Sequence, residues 1–450
     1  MRKVNLFIVL VLALVLIVAG CSSPSSPKEG AGGSTVGSGK VEESREPKTL
    51  TIMVAPFPND VEKKLWEKIV KAFEDKNQGI KVELKTGDVA VESGKLTTML
   101  NSGVTPPDAI LIYAGPARVS VLSQGNLIMP LEELYTKNNW KEKLTPFAYS
   151  MATLSGKIYE VPHGLDAIGV FYNKDLFAKA GVKVPATKDE LVTAMQKLKD
   201  AGIQPIALGT RGGNGGGWLY GNILDAVAGR KKVEEVLYGK GKWNDPEMVK
   251  ATETLNDWVN KGFIVKEAVS LTFPDAKAQF LDKKAAMYAS GTPTITDIAS
   301  MKLEDSIGHM TFPSFIEGQK TNPTGGLGYS WVVPKNTKNV DLVEKWINFI
   351  LTDFTEIAYK DPSFYLIPAT KTAFTLKPAG SILAEAVKNI SDGSAYNPAY
   401  NPTVFIGNST KEAYLQNLQG VIGGLISPQE AMNNIEAGNK KDRAEGFKLK

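Results

Sequence analysis

At 450 residues, with 43% hydrophobic and 22% charged residues, the chain is globular in composition and too long for one compact core, so two lobes of ordinary domain size are expected. Its 52 basic and 48 acidic side chains give a net charge of +4, which falls to +2 if Arg2 and Lys3 leave with the leader described next; that is no field for nucleic acid. A single cysteine excludes an internal disulfide framework and a Cys-rich metal site, and the two histidines, His163 and His309, exclude a His-rich zinc site.

Residues 1–21 read MRKVNLFIVLVLALVLIVAGC: two cations, an apolar run from Leu6 to Val18, then Ala19 and Gly20 before Cys21. The cations favour the cytoplasmic side and the run has signal-peptide length, so residues 1–20 are expected to be a lipoprotein signal peptide and Cys21 the lipidated residue. The pattern resembles the bacterial lipobox, with Val18 where Leu is commoner. The alternative is an uncleaved anchor; in both cases the body faces outward. Residues 21–48, rich in Ser, Gly, Pro, Lys and Glu, form a flexible linker with a root-mean-square reach of roughly 30 Å. No later segment approaches ~20 uninterrupted apolar residues, so the remainder is expected to be soluble.

The folded body is expected to begin at the alternating strand TLTIMVA, residues 49–55. Asn59 or Asp60 can cap a helix whose apolar positions Val61, Leu65, Ile69 and Phe73 recur every four residues, and Gly79 separates it from a second strand at 80–84. A short helix around 91–101 and the strand DAILIY at 108–113 complete an order that implies a parallel sheet covered by helices. The alternation resumes with a capping-box spacing at Thr187 and Glu190, a strand at 205–209, and a helix opened by Asp245 and Pro246 and closed by Gly262. A second α/β lobe follows from that. Trp66, Trp258 and Trp346 fall on helical apolar stripes and are assigned to the core, and Asn173 and Asp175 are read as helix-capping residues.

Motifs for phosphate chemistry fail. GSTVGSGKV at 33–41 lacks Ser or Thr after Lys40 and has no strand before it; the glycine run 212–217 does not follow dinucleotide spacing and reads as a mobile ligand loop. No GxSxG elbow accompanies either histidine.

Six segments in order, FEDKNQGIKVEL (73–84), NSGVTPPDAILIY (101–113), SGKIYEVPHGLDAIGVFYNKDLFAKAG (155–181), FPDAKAQFLDKKAAMYASG (273–291), GGLGYSWVVPKNTKN (325–339) and LQGVIGGLISPQEAM (418–432), together resemble the family 1 extracellular solute-binding proteins, the clan that includes maltose-binding protein. The resemblance implies an α/β, two-lobed periplasmic-binding-protein-like (type II) fold, each lobe a mainly parallel sheet flanked by helices and joined by crossing hinge strands. The N-terminal lobe then comprises residues 49–160 and 328–385, and the C-terminal lobe 161–327 and 386–450.

In parallel α/β sheets the loops at the carboxyl ends of strands face a crevice, and two lobes set two groups of such loops opposite each other. Sugars combine rim hydroxyls with flat C–H faces, so carboxylates, amides and aromatic rings in those loops are the candidates. They are Asn59, Asp60, Tyr113, His163, Asp166, Trp218, Gly291, Thr292, Gly326, Tyr329 and Tyr365. Many relatives carry Trp shortly after the glycine that follows Ala-Met-Tyr; here Gly291 is followed by Thr292, Pro293 and Thr294.

The resemblance implies a solute-binding lipoprotein that captures a sugar or oligosaccharide by closing its lobes and delivers it to the separate transmembrane subunits of an ABC permease. It implies no catalysis and no cofactor, a monomer, no nucleic-acid partner, and a lipid-anchored place outside the cytoplasm, at the cell surface of a Gram-positive cell or in a periplasm. The alternatives are a lipid-anchored glycoside hydrolase, which needs only two carboxylates, a ligand-presenting sensor lipoprotein, and metal or anion capture, which the scarcity of histidine disfavours.

Overall fold

The computed structural model describes residues 47–447 apart from 155, 213, 214, 393 and 394. The leader, Cys21 and nearly all of the linker lie outside the described residues, as do two positions of the 212–217 glycine run. Among the described residues no helix is long and apolar enough to cross a membrane.

A ten-stranded sheet organises the body. Its main path runs Ile80–Thr86, Lys48–Val54, Ala109–Tyr113, Thr324–Val332, Val161–Asn173, Ala285–Gly291, Gln204–Ala207. The pairs at both ends are parallel, as expected where helices return the chain across a sheet face. The centre is antiparallel. Thr324–Val332 pairs through residues 329–332 with the first half of the sheet and through 324–331 with Val161–Asn173. Val161–Asn173 in turn pairs through 168–172 with Ala285–Gly291, so these two long strands carry the ladder from one half to the other. The short strand Ile367–Pro368 adds a third contact, at Gly164 and Leu165.

Local signals explain the helices. Asn59 caps Asp60–Lys76 by accepting the Glu62 amide. Thr187 caps Lys188–Asp200, but Glu190 bonds the Ala186 amide at 2.7 Å instead of returning to Thr187, so the box is shifted by one residue. Asp245 does not cap Pro246–Asn260 with its side chain; its carboxylate takes Lys232 Nζ and the Lys242 amide. Asn173 caps Lys174–Lys179 through the Leu176 amide. The expected helix at 91–101 is a 3₁₀ turn, Val91–Ser93, followed by Lys95–Asn101, because Gly94 adopts φ +73° between them.

Trp66, Trp258 and Trp346 are buried on their helices, and Trp331 is buried as well. Asp108 ties the first half together: its carboxylate accepts from the Thr51 amide at 2.9 Å, the Thr337 hydroxyl at 2.6 Å and the Asn339 side chain at 3.1 Å. The boundary expected between residues 385 and 386 falls inside the helix Ser381–Ile390. That helix packs on Ile307–Met310, where Glu385 accepts the His309 amide at 2.7 Å.

Glu160 precedes the first long strand and is 1% exposed, with Oε2 lacking a partner among the described residues. Burial pushes its carboxyl up to about 7, and the Ser330 hydroxyl on the second long strand offsets only part of that. A carboxyl raised on folding favours the protonated native state. Its cost is absent in acid, grows as pH rises from the ordinary value of 4.5 to about 7, and is full above that. Glu160→Gln is therefore expected to stabilise the protein by on the order of 2 kcal/mol at pH 8 and by much less at pH 5, read from urea unfolding at the two pH values.

Candidate functional site

Residues from both halves of the sheet meet at two rims. At the first, Asn59 uses Oδ1 for its cap, which frees Nδ2 to donate to Thr296 Oγ1 at 3.3 Å and Asp297 Oδ1 at 3.1 Å. Both acceptors sit on the helix Thr294–Ser300, which follows the strand Ala285–Gly291 of the other half. Lys277 holds the second oxygen of Asp297 at 2.7 Å. At the other rim, Arg118 Nε lies 2.6 Å from Glu92 Oε1, and Lys411 Nζ, from the helix Asn408–Ile422, lies 3.4 Å from the same oxygen. Burial acts to raise Glu92, but Arg118, a backbone amide bond and Lys411 together outweigh it and hold the carboxyl below its ordinary value. Burial, followed by repulsion from Arg118, pushes Lys411 down. A crevice of about 100 Å³ runs beside them between Gly115, Val121, Val404 and Ile406.

Aromatic rings and acceptors fill the ground between the rims. Tyr113, at the end of its strand, is 36% exposed, and its ring centre is 5.7 Å from that of Tyr329. Tyr365 donates from its hydroxyl to Glu62 Oε1 at 2.8 Å. Burial raises the Glu62 carboxyl; the Tyr365 bond offsets part of the rise, and Asp297 from the other half adds to it. Asp166 stands on the first long strand opposite a register shift in the second, where a Cβ on Gly328 would collide with its Oδ1 and push the carboxylate aside. Burial pushes Asp166 up to about 6 against the pull of Arg118. Tyr396 locks the same crossing, donating to the Asp166 carbonyl and accepting the Gly326 amide, both at 2.8 Å.

The expected residues divide accordingly. Asn59, Tyr113, Asp166, Tyr329 and Tyr365 come together with Glu62, and Gly326 is buried backbone at the crossing. Trp218 is partly exposed in the other half, edge-on to Phe273 at 4.8 Å; Phe273 reaches Tyr288 at 5.4 Å, and Asp297 acts on Tyr288 electrostatically. Gly291 and Thr292 are buried at the end of that strand. Asp60 is exposed at the first helical position. His163 needs correction. Its ring is 2% exposed and packed among Trp66, Trp331 and Phe354, because its position on the long strand faces the helix layer and not the crevice.

Sequence reasoning missed Glu62, Arg118, Asp297 and Tyr396. An acid in the first helical turn is accounted for by the helix dipole alone, so Glu62 gave no separate signal. Among the described residues no group of three or more His, Cys, Asp or Glu side chains is arranged to hold a metal.

The sequence profile of the bacterial extracellular solute-binding proteins matches residues 58–353. An uncharacterized ABC transporter extracellular-binding protein of Pyrococcus horikoshii is 25% identical over 392 residues, 85% of each chain. The multiple sugar-binding protein of Streptococcus mutans is 26% identical over 335 residues, 69% of this chain and 77% of that protein. A solved chitin oligosaccharide binding protein shares the fold with a TM-score of 0.73 at 24% identity, over 89% of this chain and all of that one.

The contact at Asn59 separates capping from bridging. Asn59→Asp keeps an oxygen for the Glu62 amide but sets a carboxylate against Asp297. The expected outcome is a larger radius of gyration by X-ray scattering with helicity unchanged by circular dichroism; an unchanged radius would show that the rim contact does not hold the halves together.

Proposed function

Because this chain belongs to the bacterial extracellular solute-binding proteins, we propose that it is the capture subunit of an ABC importer and that its solute is a sugar or short oligosaccharide. The observation that carries the reading is the meeting of both halves at two rims around a floor of tyrosines and carboxyls. Tyr113, Tyr329 and Tyr365 offer faces for C–H surfaces, and Glu62, Asp166 and Asp297 offer acceptors for hydroxyls. Trp218 and Phe273 supply an apolar wall from the other half, in place of the tryptophan missing after Gly291. The names of the Streptococcus relative and of the chitin oligosaccharide binding protein support a carbohydrate.

Capture proceeds by closure. The halves act as lobes, residues 49–160 with 328–385 and residues 161–327 with 386–450, that rotate about the long strands. Solute bound to both favours the closed form, which docks on the permease. The energy for transport comes from other chains. The protein works as a monomer, held to the outer face of the membrane by lipid on Cys21.

A thermal-shift screen with maltotriose, xylotriose and chitotriose tests the reading. A sugar at about 100 times its Kd adds about 2.7 kcal/mol to stability, so at least one should raise the melting temperature and be recovered unchanged. No shift with any carbohydrate, or hydrolysis of the sugar by the purified protein, would refute it. For the anchor, Cys21→Ser is expected to move the protein from the membrane fraction to the soluble fraction; retention in the membrane would mean an uncleaved leader.

A further inference from the structure

The pocket at the second rim is built unlike the floor beside it. It holds about 100 Å³ between the halves, with Gly115, Arg118 and Val121 from one and Val404, Ile406 and Lys411 from the other. One water needs ~10–15 Å³ of such volume, so there is room for a substituent of several heavy atoms. One side is hydrocarbon, formed by Val91, Ala114, Val121, Val404 and Ile406. The other carries donors and an acceptor. Arg118 gives Nε to Glu92 and Nη1 to the Ala114 carbonyl at 2.7 Å, which leaves Nη2 without a partner among the described hydrogen bonds. Lys411 bonds the same Glu92 oxygen as Arg118, Oε1, so neither cation holds Oε2. The pocket is continuous with the floor: Ala114 follows Tyr113 and bonds the Gly328 carbonyl at 3.0 Å, and a Cβ on Gly326 would lie 2.9 Å from Val404 Cγ2. Arg118 also acts electrostatically on Tyr113 and Asp166.

Charge narrows what fits there. An anion entering the pocket meets Glu92, and an ammonium meets Arg118 and Lys411, so a charge of either sign is opposed by a group already in place. A bare hydroxyl satisfies a donor or an acceptor but leaves the hydrocarbon side uncovered. An acylamino group meets all three needs. We propose that the solute is an N-acylated sugar, and that the acetamido group of one residue seats in this pocket, its carbonyl oxygen toward Arg118 and Lys411, its N–H toward Glu92, and its methyl against Val121, Val404 and Ile406. The inference rests on the reading of the crevice as the sugar site and names the class of sugar. Because the pocket is walled from both halves, seating the group favours the closed form.

Three β-1,4-linked trisaccharides that differ only at C2 test this by calorimetry on the full-length protein: chitotriose with its acetamido groups, the deacetylated trimer with ammonium groups, and cellotriose with hydroxyls. Chitotriose is expected to bind roughly 10- to 100-fold more tightly than either of the others. Val121 is 47% exposed, so Val121→Phe spares the fold while filling the pocket. It is expected to cut the ratio of chitotriose to cellotriose affinity roughly 10-fold, with the melting temperature unchanged. Lys411→Met, which removes the donor of the other half, is expected to cut the same ratio by roughly 3- to 10-fold. Equal binding of chitotriose and cellotriose, a preference for the deacetylated trimer, or a chitotriose preference that survives Val121→Phe overturns the inference. So does a protein that binds maltotriose or xylotriose but not chitotriose; in each of these cases the capture of sugar stands. If no carbohydrate binds the wild type, the reading of the crevice falls and the inference with it.

Discussion

The structure depends on two strands that belong to neither half alone. Thr324–Val332 and Val161–Asn173 pair with each other in the middle and with opposite halves at their ends, so one hydrogen-bonded ladder runs through the whole body. Breaking the sheet there would leave backbone donors and acceptors unmet in the interior, which makes twisting about the strands far easier than separating them. The register shift at Gly328 gives the crossing its bend. Tyr396 and Asp166 meet at that crossing, where the tyrosine hydroxyl holds the Asp166 carbonyl.

Little of the charge is placed where it would hold the two halves together. Among the described residues the ion pairs that span the rims are few and partly solvated, such as Lys411 on Glu92, where screening keeps each contribution small. The deeply buried acid beside the joint, Glu160, has no cation among the described ion pairs and is shifted toward its neutral form. A strong buried salt bridge across the halves would oppose opening; weak contacts at the rims and neutral groups at the joint do not.

The alternating strands and the capped helices were legible in the sequence because each rests on local chemistry: Leu50, Ile52 and Val54 on one side, Asn59, Thr187 and Asn173 before helical stripes. The antiparallel centre was not legible from periodicity, since the pairing of residues 329–332 with 110–113 joins segments more than 200 positions apart; family likeness supplied only the crossing of strands between the lobes, not their direction. The site divides in the same way. Tyr113 and Asn59 sit at strand and helix ends, where position in the chain predicts position in space. His163 failed because alternation along a strand of 13 residues decides which face a side chain takes, and a bend shifts that count. Glu62, Arg118 and Asp297 are polar residues on helices, indistinguishable in sequence from solvated surface until the other half is brought against them.

Of the seven tryptophans, six are buried in one hydrophobic cluster and only Trp218 is partly exposed, edge-on to Phe273. The molecule thus carries a native optical reporter at one place. Its steady emission is dominated by indoles shielded from solvent, and Trp218 is the one indole that a change in the surrounding solvent reaches directly, so its environment can be followed without a label.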